Sequence, residues 1–254
     1  MLTKGCDPEL FLRDPKTGQM ISSIGLIGGS KDFPQAIGEG CAVQEDNVAV
    51  EFNIPPSKSA EDFITSINFA LNTIRQRAKE LGLELCIEPS AVFDDVELMS
   101  PAAKEFGCEP DYNAWTGREN PRPKCDNKNL RSAGGHIHVS VPDGVDSCRV
   151  VQAMDLFVGC QMLKFDTDTQ RRKLYGRAGA CRFKTYGVEY RTASNAWIVS
   201  DERIRWVWEQ TEKAVDWAET MPPFTPEQGQ RIQDCINNSD LKLLEELNAE
   251  FGIN

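Results

Sequence analysis

The chain contains only two histidines, and they stand two residues apart in the segment Gly134-Gly135-His136-Ile137-His138-Val139. Side chains of a β-strand alternate between its two faces, so this spacing predicts a strand over 133–141 with both imidazoles on one face. Imidazole is the commonest protein metal ligand and titrates near neutral pH. The strand therefore carries either a polar site or an ordinary solvent-facing edge.

The composition of the 254 residues is that of a globular protein, with 40% hydrophobic and 26% charged residues. No apolar run approaches the roughly 20 residues that a membrane helix needs, and the N-terminus lacks the apolar core of a signal peptide. The nine cysteines include no Cys-x-x-Cys pair, which argues against a zinc ribbon and favours free thiols in a reducing compartment. We therefore expect a cytoplasmic protein with no membrane partner.

The net charge of −11 argues against broad attraction to a nucleic-acid backbone. The segment 171–184 departs from this balance because it concentrates arginines and lysines in an acidic chain. Such a cluster suits an anion such as a polyphosphate, although a solvated positive surface has the same composition.

Hydrophobic periodicity predicts strands interspersed with helices. A helix is expected to begin after Ser59 and to end before Gly82. The other predicted helices cover 149–164, 201–221, 226–237 and 239–251. The predicted strands cover 6–12, 42–54, 83–93, 133–141 and 186–192. The segment 100–131 lacks periodicity and predicts a long functional loop. We expect one α+β domain over 1–254, with a largely antiparallel sheet and a helical C-terminal third.

Three further predicted strands carry polar residues at the spacing of two: Asp7 and Glu9, Glu51 and Asn53, and Glu189 and Arg191. If these strands are neighbours in one sheet, their carboxylates converge and repel one another unless a cation neutralises them. Oxygen ligands with one imidazole suit Mg²⁺ or Mn²⁺. Alternating polar residues are also typical of any half-exposed strand, which is the interpretation that we prefer for Glu45 and Asn47.

Several motifs, taken in their order along the chain, resemble the glutamine synthetase and glutamate–cysteine ligase superfamily. They are Gly5-Cys6-Asp7-Pro8-Glu9, Val50-Glu51-Phe52-Asn53, Gly134-Gly135-His136-Ile137-His138 and Gly187-Val188-Glu189-Tyr190-Arg191. The segment 106–115 further resembles the phage-type carboxylate–amine ligases, COOH-NH2 ligase type 2. Asp7 departs from the pattern because the superfamily has Glu at that position. If a phage encodes the chain, its compartment is the host cytoplasm.

The resemblance implies a curved antiparallel sheet that forms a catalytic funnel with helices outside, and it implies ATP and Mg²⁺ as cofactors. By position, Asp7, His136 and Glu189 would hold one ion, and Glu9 and Glu51 a second. The nucleotide phosphates would contact His138, Arg172, Arg177, Arg182 and Arg191. Of these, Arg177, Arg182 and Arg191 would also stabilise the transferring phosphoryl group.

The substrates that the resemblance implies are a small-molecule or peptide carboxylate and an amine. Candidate substrate-binding residues are Lys31, Asn53, Asp111, Asn113 and Trp115. The last three lie in the segment 100–131, which is either a lid or acceptor pocket or a structural crossover. Asp46 or Glu45 is a candidate general base. The acidic charge argues against a nucleic-acid partner, although a modified DNA base stays open as an acceptor. Because the chain is short for this superfamily, a homo-oligomer that completes the site is a further expectation.

The function expected from this resemblance is amide-bond formation through an acyl phosphate, with ATP as the phosphoryl donor. Two alternatives stay open at this stage. One is a metal-dependent hydrolase that uses the same carboxylates without nucleotide. The other is a non-catalytic binding protein that retains the fold.

Overall fold

The structure is a computed structural model that describes residues 2–104, 111–121 and 125–253. Its strands are β1 (Lys4–Arg13), β2 (Met20–Ile21), β3 (Gln35–Gly38), β4 (Cys41–Asp46), β5 (Ala49–Asn53), β6 (Glu84–Cys86), β7 (Ser90–Val92), β8 (Tyr112–Asn113), β9 (Arg118–Glu119), β10 (Leu130–Ser132), β11 (Gly135–Ser140), β12 (Ala180–Lys184) and β13 (Gly187–Tyr190). Its α-helices are α1 (Ala60–Glu80), α2 (Pro101–Lys104), α3 (Ser147–Met154), α4 (Cys160–Met162), α5 (Gln170–Leu174), α6 (Asp201–Thr220), α7 (Pro226–Asn238) and α8 (Leu241–Phe251).

Most strands form one large sheet in the order β3-β4-β5-β1-β11-β13-β12-β8-β9, with β2 and β6 beside the second half of β1. Strands β7 and β10 pair separately. Every strand pairing within the described residues is antiparallel. The predicted mixture of helices with a large antiparallel sheet is therefore confirmed.

Apolar side chains on one face of the sheet form the core with the long helices. On β1 these are Cys6, Leu10 and Leu12, which alternate with residues of the opposite face and are all buried. Helices α1 and α3 pack against this face, and α6 packs against both of these helices. Each fully buried aliphatic or aromatic side chain contributes about 1.5–3 kcal/mol of hydrophobic free energy. The polar residues of the central strands lie on the opposite face of the sheet.

The predicted boundaries of the long helices agree with the structure within a few residues. Ser59 caps α1, and its side-chain oxygen accepts a hydrogen bond from the backbone N–H of Asp62. The three C-terminal helices also match their predictions. The predicted helix over 149–164 differs, because a π-helical turn over Asp155–Gly159 separates α3 from α4. None of the helices in the described part of the chain is long and apolar enough to cross a bilayer.

Three sequence predictions about the strands and loops were wrong. The single strand expected over 83–93 is two strands, β6 and β7, which belong to different sheets; Pro89 between them has no N–H for a strand ladder. Because proline has no N–H for a strand ladder, Pro8 is expected at an edge or among the first residues of its strand. Instead it is the fifth residue of the central strand β1, where pairing with β5 stops at Glu9. The segment 100–131 is not structureless, since it contains α2, β8, β9 and the start of β10. Residues 105–110 of its family motif lie outside the described residues.

Candidate active site

The strand register places the polar residues of four strands side by side on the face opposite the helices. Asp7 of β1 lies opposite His136 of β11, and His138 of β11 lies opposite Glu189 of β13. On the other side of β1, Glu9 lies opposite Glu51 of β5. Residues directly opposite on one face have Cβ atoms about 5 Å apart, so neighbouring strands bring these groups into contact.

Asp7, His136 and Glu189 form the first of two clusters that could hold a metal ion. Their ligand atoms all lie within 4.8 Å of one another. His136 Nδ1 is 3.3 Å from Asp7 Oδ1 and 3.8 Å from Glu189 Oε1. His136 and Glu189 are buried, which keeps water away from the cluster.

The charges of the first cluster favour ionised carboxylates and a neutral imidazole. Burial disfavours ionisation of Asp7, but the adjacent imidazoles of His138 and His136 outweigh burial and lower its pKa. Burial and the charge of Asp7 likewise oppose ionisation of Glu189, yet Arg191 and His136 lower its pKa to about 2. Burial and the charge of Arg191 lower the pKa of His136 to about 4. A neutral imidazole between two carboxylates is the protonation state that a metal ligand requires.

Glu9, Asp46 and Glu51 form the second cluster, and their ligand atoms also lie within 4.8 Å of one another. Burial and the charge of Asp46 raise the pKa of Glu9 to about 7. Burial, with the charges of Asp7, Glu9 and Asp46, raises the pKa of Glu51 well above its ordinary value. Hydrogen bonds reach both buried acids: the backbone N–H of Gly134 donates to Glu9, and Gln44 donates to Glu51 over 3.1 Å.

Both clusters fit a divalent cation such as Mg²⁺. Asp7 Oδ1 is a buried carboxylate oxygen that makes no hydrogen bond, although it faces the centre of the first cluster. In the second cluster three carboxylates converge, and their negative charges help to raise the pKa values of Glu9 and Glu51, which is the repulsion that a bound cation removes. Carboxylate oxygens are the ligands that Mg²⁺ prefers. The residues of each cluster therefore match the chemistry of the ion that the family resemblance implies.

Arg191 lies at the centre of the site, just past the last residue of β13. Its guanidinium contacts the Glu189 carboxylate and lies 3.3 Å from His136 Nδ1. Asp111 Oδ2 lies 3.8 Å from Arg191 Nε. Arg191 is buried, so its charge acts across a medium of low dielectric constant.

Two more cations approach Glu189 from β12. Lys184 Nζ lies 2.8 Å from Glu189 Oε2, and Arg182 Nη1 lies 3.7 Å from Glu189 Oε1. They stand two residues apart on β12, and so share a face. His138 lies beside them, with Nε2 3.1 Å from Asp7 Oδ2 and its other ring nitrogen against the Tyr186 hydroxyl. Burial opposes a charge on His138, but the Asp7 carboxylate outweighs burial and raises its pKa.

A cavity of about 340 Å³ opens over the two clusters. Lys31 and Asn53 line it, as do Arg182, Lys184 and Arg191. A space of about 90 Å³ beside Arg131 and Arg171 shares Glu9 and His136 with its lining, and a space of about 230 Å³ beside Tyr186 shares His138. The structure thus brings the five proposed metal ligands together with His138, Arg182, Arg191, Lys31, Asn53 and Asp111.

Four of the proposed site residues lie elsewhere in the described structure. Arg172 is buried against Asp166 and main-chain carbonyls, and the Arg177 side chain is exposed outside the cavity lining. The Asn113 side chain accepts hydrogen bonds from backbone N–H groups of its own turn, and Trp115 donates to Asp155 behind the sheet. The contacts of Arg172, Asn113 and Trp115 are typical of structural residues.

Sequence reasoning named Asp46 as a candidate general base rather than as a member of the second cluster, and it did not assign Gln44, Lys184, Tyr186 or Arg171 to a place in the site. Asp46 and Gln44 share a strand face, so their spacing of two on β4 was an available signal for both. The same spacing relates Lys184 to Arg182. Glu45, the alternative general base, does not line the cavity. Its carboxylate accepts hydrogen bonds from the backbone N–H groups of Gly25, Ile27 and Gly28. Arg171 and Tyr186 carry no comparable sequence signal.

Residues 129–225 match the family model described as Phage phiEco32-like COOH.NH2 ligase-type 2. This range contains β11, β12 and β13, and so includes His136, Glu189 and Arg191, whereas Asp7 and Glu51 precede it. A search of curated proteins found no match. Over residues 129–225 the chain therefore matches the carboxylate–amine ligase family that its sequence motifs indicated, which supports an enzyme of that class.

Proposed function

We propose that the chain is an ATP- and Mg²⁺-dependent carboxylate–amine ligase that forms an amide bond through an acyl-phosphate intermediate. The observation that carries this proposal is the pair of acidic clusters on one sheet face, with the buried Arg191 guanidinium beside them. A phosphoryl-transfer site needs cation ligands and fixed positive charges at short range, and this face offers both. In the proposal the face is the floor of a glutamine synthetase-like funnel, built within one domain over 1–254.

The chemistry starts from a poor electrophile, because a carboxylate has no good leaving group. A carboxylate oxygen of the substrate attacks the γ-phosphorus of ATP and ADP leaves, so that the acid becomes an acyl phosphate. The amine then attacks the carbonyl carbon, phosphate leaves with the C–O electron pair, and the amine gives up a proton. Mg²⁺, when bound by Asp7, His136 and Glu189 and by Glu9, Asp46 and Glu51, would neutralise phosphate charge.

The side chains of the site would divide this work by position. Arg191, with Arg182 and Lys184, would balance the charge that develops on the transferring phosphoryl group. His138 would contact a phosphate oxygen, since it lies at the edge of the first cluster. Lys31 and Asn53 line the cavity and would contact the acceptor. Burial of His136, Glu189 and Arg191 would limit hydrolysis of the acyl phosphate by water.

The test uses hydroxylamine as a generic amine, because it converts an acyl phosphate into a hydroxamate, whose iron(III) complex is coloured. Purified protein is incubated with ATP, Mg²⁺, hydroxylamine and a panel of small carboxylic acids and peptides. The proposal expects hydroxamate and ADP in equal amounts for at least one acid, and neither product without Mg²⁺. With an ¹⁸O-labelled acid, one ¹⁸O atom should appear in the released phosphate.

The same panel separates the two alternatives. A metal-dependent hydrolase would turn over an ester or amide with Mg²⁺ alone, and added ATP would change nothing. A non-catalytic protein that retains the fold would gain thermal stability with Mg²⁺ and a non-hydrolysable ATP analogue but would form no product. Absence of both stabilisation by nucleotide and hydroxamate over the whole panel would contradict the ligase proposal.

A further inference from the structure

Asp155 is a fully buried carboxylate that belongs to neither cation cluster. It opens the π-helical turn between α3 and α4, on the helix-covered side of the sheet. Burial raises its pKa to about 7. A buried carboxylate is costly unless hydrogen bonds satisfy it, and π-helical turns occur frequently at functional sites.

The hydrogen bonds of Asp155 join separate segments of the chain. The Tyr190 hydroxyl donates to Oδ1 over 2.8 Å, and the Thr192 hydroxyl lies 3.3 Å from the same oxygen. The indole N–H of Trp115 donates to Oδ2 over 2.7 Å. Gly159 allows the helix to approach this closely, because a Cβ there would lie 2.5 Å from the Tyr190 hydroxyl. One carboxylate thus holds the end of β13 and the turn after β8.

Both segments lead directly to the centre of the site. Tyr190 and Thr192 flank Arg191, which follows the last residue of β13. Arg171 also fixes the backbone at the end of β13, since its guanidinium donates hydrogen bonds to the carbonyl oxygens of Arg191 and Thr192. Trp115 follows β8, and Asp111 immediately before β8 lies 3.8 Å from Arg191 Nε. Displacement of either segment would therefore move the Arg191 guanidinium or its carboxylate partner.

We propose that Asp155 is a positioning residue, which fixes Arg191 and the segment carrying Asp111 from behind the sheet. It touches no substrate and acts through its hydrogen-bond partners, among them Tyr190, Thr192 and Trp115. The inference rests on the proposed function of the site, in which Arg191 stabilises the transferring phosphoryl group. Its effect is expected on the rate of phosphoryl transfer rather than on nucleotide binding, because misplacement of such a group by about 1 Å can lower a rate about 100-fold.

The test compares Asp155→Asn with Asp166→Asn. Asp166 is the matched control because it is also a buried aspartate with hydrogen bonds, to Arg172 and Ser194, and does not line the cavity. Both variants should melt at lower temperature than the parent protein. Only Asp155→Asn should lower kcat, on the order of 100-fold, with the KM for ATP little changed. Equal kcat losses in the two variants at similar melting temperatures would overturn the proposal.

A second measurement does not depend on activity. In protein labelled with ¹⁵N-arginine, the Nε–Hε signal that Arg191→Lys removes identifies Arg191. This signal should move or broaden in Asp155→Asn and in Tyr190→Phe, and should stay in place in Asp166→Asn. An unmoved signal in Asp155→Asn would overturn the positioning role even if the protein proves to be a ligase. A moved signal in a protein that makes no product would support positioning and count against the proposed function.

Discussion

Asp7 and His136 lie directly opposite each other on β1 and β11, yet Asp7 Oδ1, 3.3 Å from His136 Nδ1, makes no hydrogen bond. A buried carboxylate oxygen is normally satisfied by a hydrogen-bond donor or an ion. The low pKa of Asp7, which its two imidazole neighbours maintain against burial, keeps that oxygen charged at neutral pH. The pair therefore offers a cation a charged carboxylate oxygen that makes no hydrogen bond.

The first prediction concerns the cation affinity of this pair. Asp7→Asn removes one charged ligand from the first cluster and should weaken the stabilisation of the protein by Mg²⁺. In the parent protein, Mg²⁺ at 100 times its Kd should add about 2.7 kcal/mol to the free energy of unfolding. The measurement is a thermal melt over a series of Mg²⁺ concentrations. Asp143→Asn, at an exposed aspartate, is the control and should respond like the parent; an equal Mg²⁺ response in Asp7→Asn would exclude Asp7 as a ligand.

The second prediction separates two neighbours on β4. Asp46→Asn should raise the Mg²⁺ concentration needed for half-maximal activity by about 10-fold or more, because it removes a ligand of the second cluster. Glu45→Gln should leave this concentration unchanged and instead lower the melting temperature, because the Glu45 carboxylate holds three backbone N–H groups of the 25–28 loop. The measurements are metal titrations of activity and melts of both variants. A larger Mg²⁺ effect in Glu45→Gln than in Asp46→Asn would reverse the assignment.

The third prediction concerns the two buried arginines Arg191 and Arg172. Arg191→Lys keeps a positive charge but loses the planar guanidinium, so kcat should fall more than nucleotide affinity. Arg172→Lys should cost stability, through its contact with Asp166, and should keep kcat near the parent value. Steady-state kinetics and nucleotide binding by calorimetry provide the comparison. Equal losses of kcat and of nucleotide affinity in Arg191→Lys would indicate plain ground-state binding.

The fourth prediction is a pH dependence of stability at Lys4. The Lys4 ammonium is buried, lies 3.5 Å from the centre of the Trp208 ring and 3.3 Å from Glu212, and burial lowers its pKa to about 8. Below pH 8 the folded and unfolded chains both carry the proton. Between pH 8 and the ordinary pKa of 10.5, the unfolded chain binds a proton that the folded chain has lost. The contribution of Lys4 to the free energy of unfolding therefore rises with pH in this range.

Chemical denaturation of Lys4→Met and of the parent protein from pH 7 to pH 10 tests whether the contribution of Lys4 to stability rises with pH. The stability of the parent relative to the variant should increase across that range, by at most about 1.4 kcal/mol for each pH unit. A constant difference would show that Lys4 keeps an ordinary pKa in the folded protein.

The sequence predicted those parts of the site that depend on strand periodicity. The spacing of two placed Asp7 with Glu9 and His136 with His138 on single faces, and the antiparallel register of β1, β11 and β13 joined them as expected. Arg172 and Arg177 were placed near the phosphates because the basic segment as a whole resembled a phosphate site. Periodicity could not correct this, since α5 and the turn after it decide which arginine points inward. Among Arg171, Arg172 and Arg177, it is Arg171 that lines the space of about 90 Å³ beside the cavity. The position of Trp115 behind the sheet was likewise not predictable from periodicity, because its hydrogen-bond partner Asp155 lies 40 residues later in the chain.

The arrangement of the ligands along the chain has a consequence for folding. The first cluster takes Asp7 from the first strand, His136 from the eleventh and Glu189 from the last. Such distant segments meet only after long loops have closed, which is slow in sheets of non-local pairing. A fragment that ends before β13 would therefore keep Asp7 and His136 but lose the third ligand. If the cluster binds a cation as proposed, that binding would report the late pairing of β11 with β13, and its appearance during refolding would time the completion of the sheet.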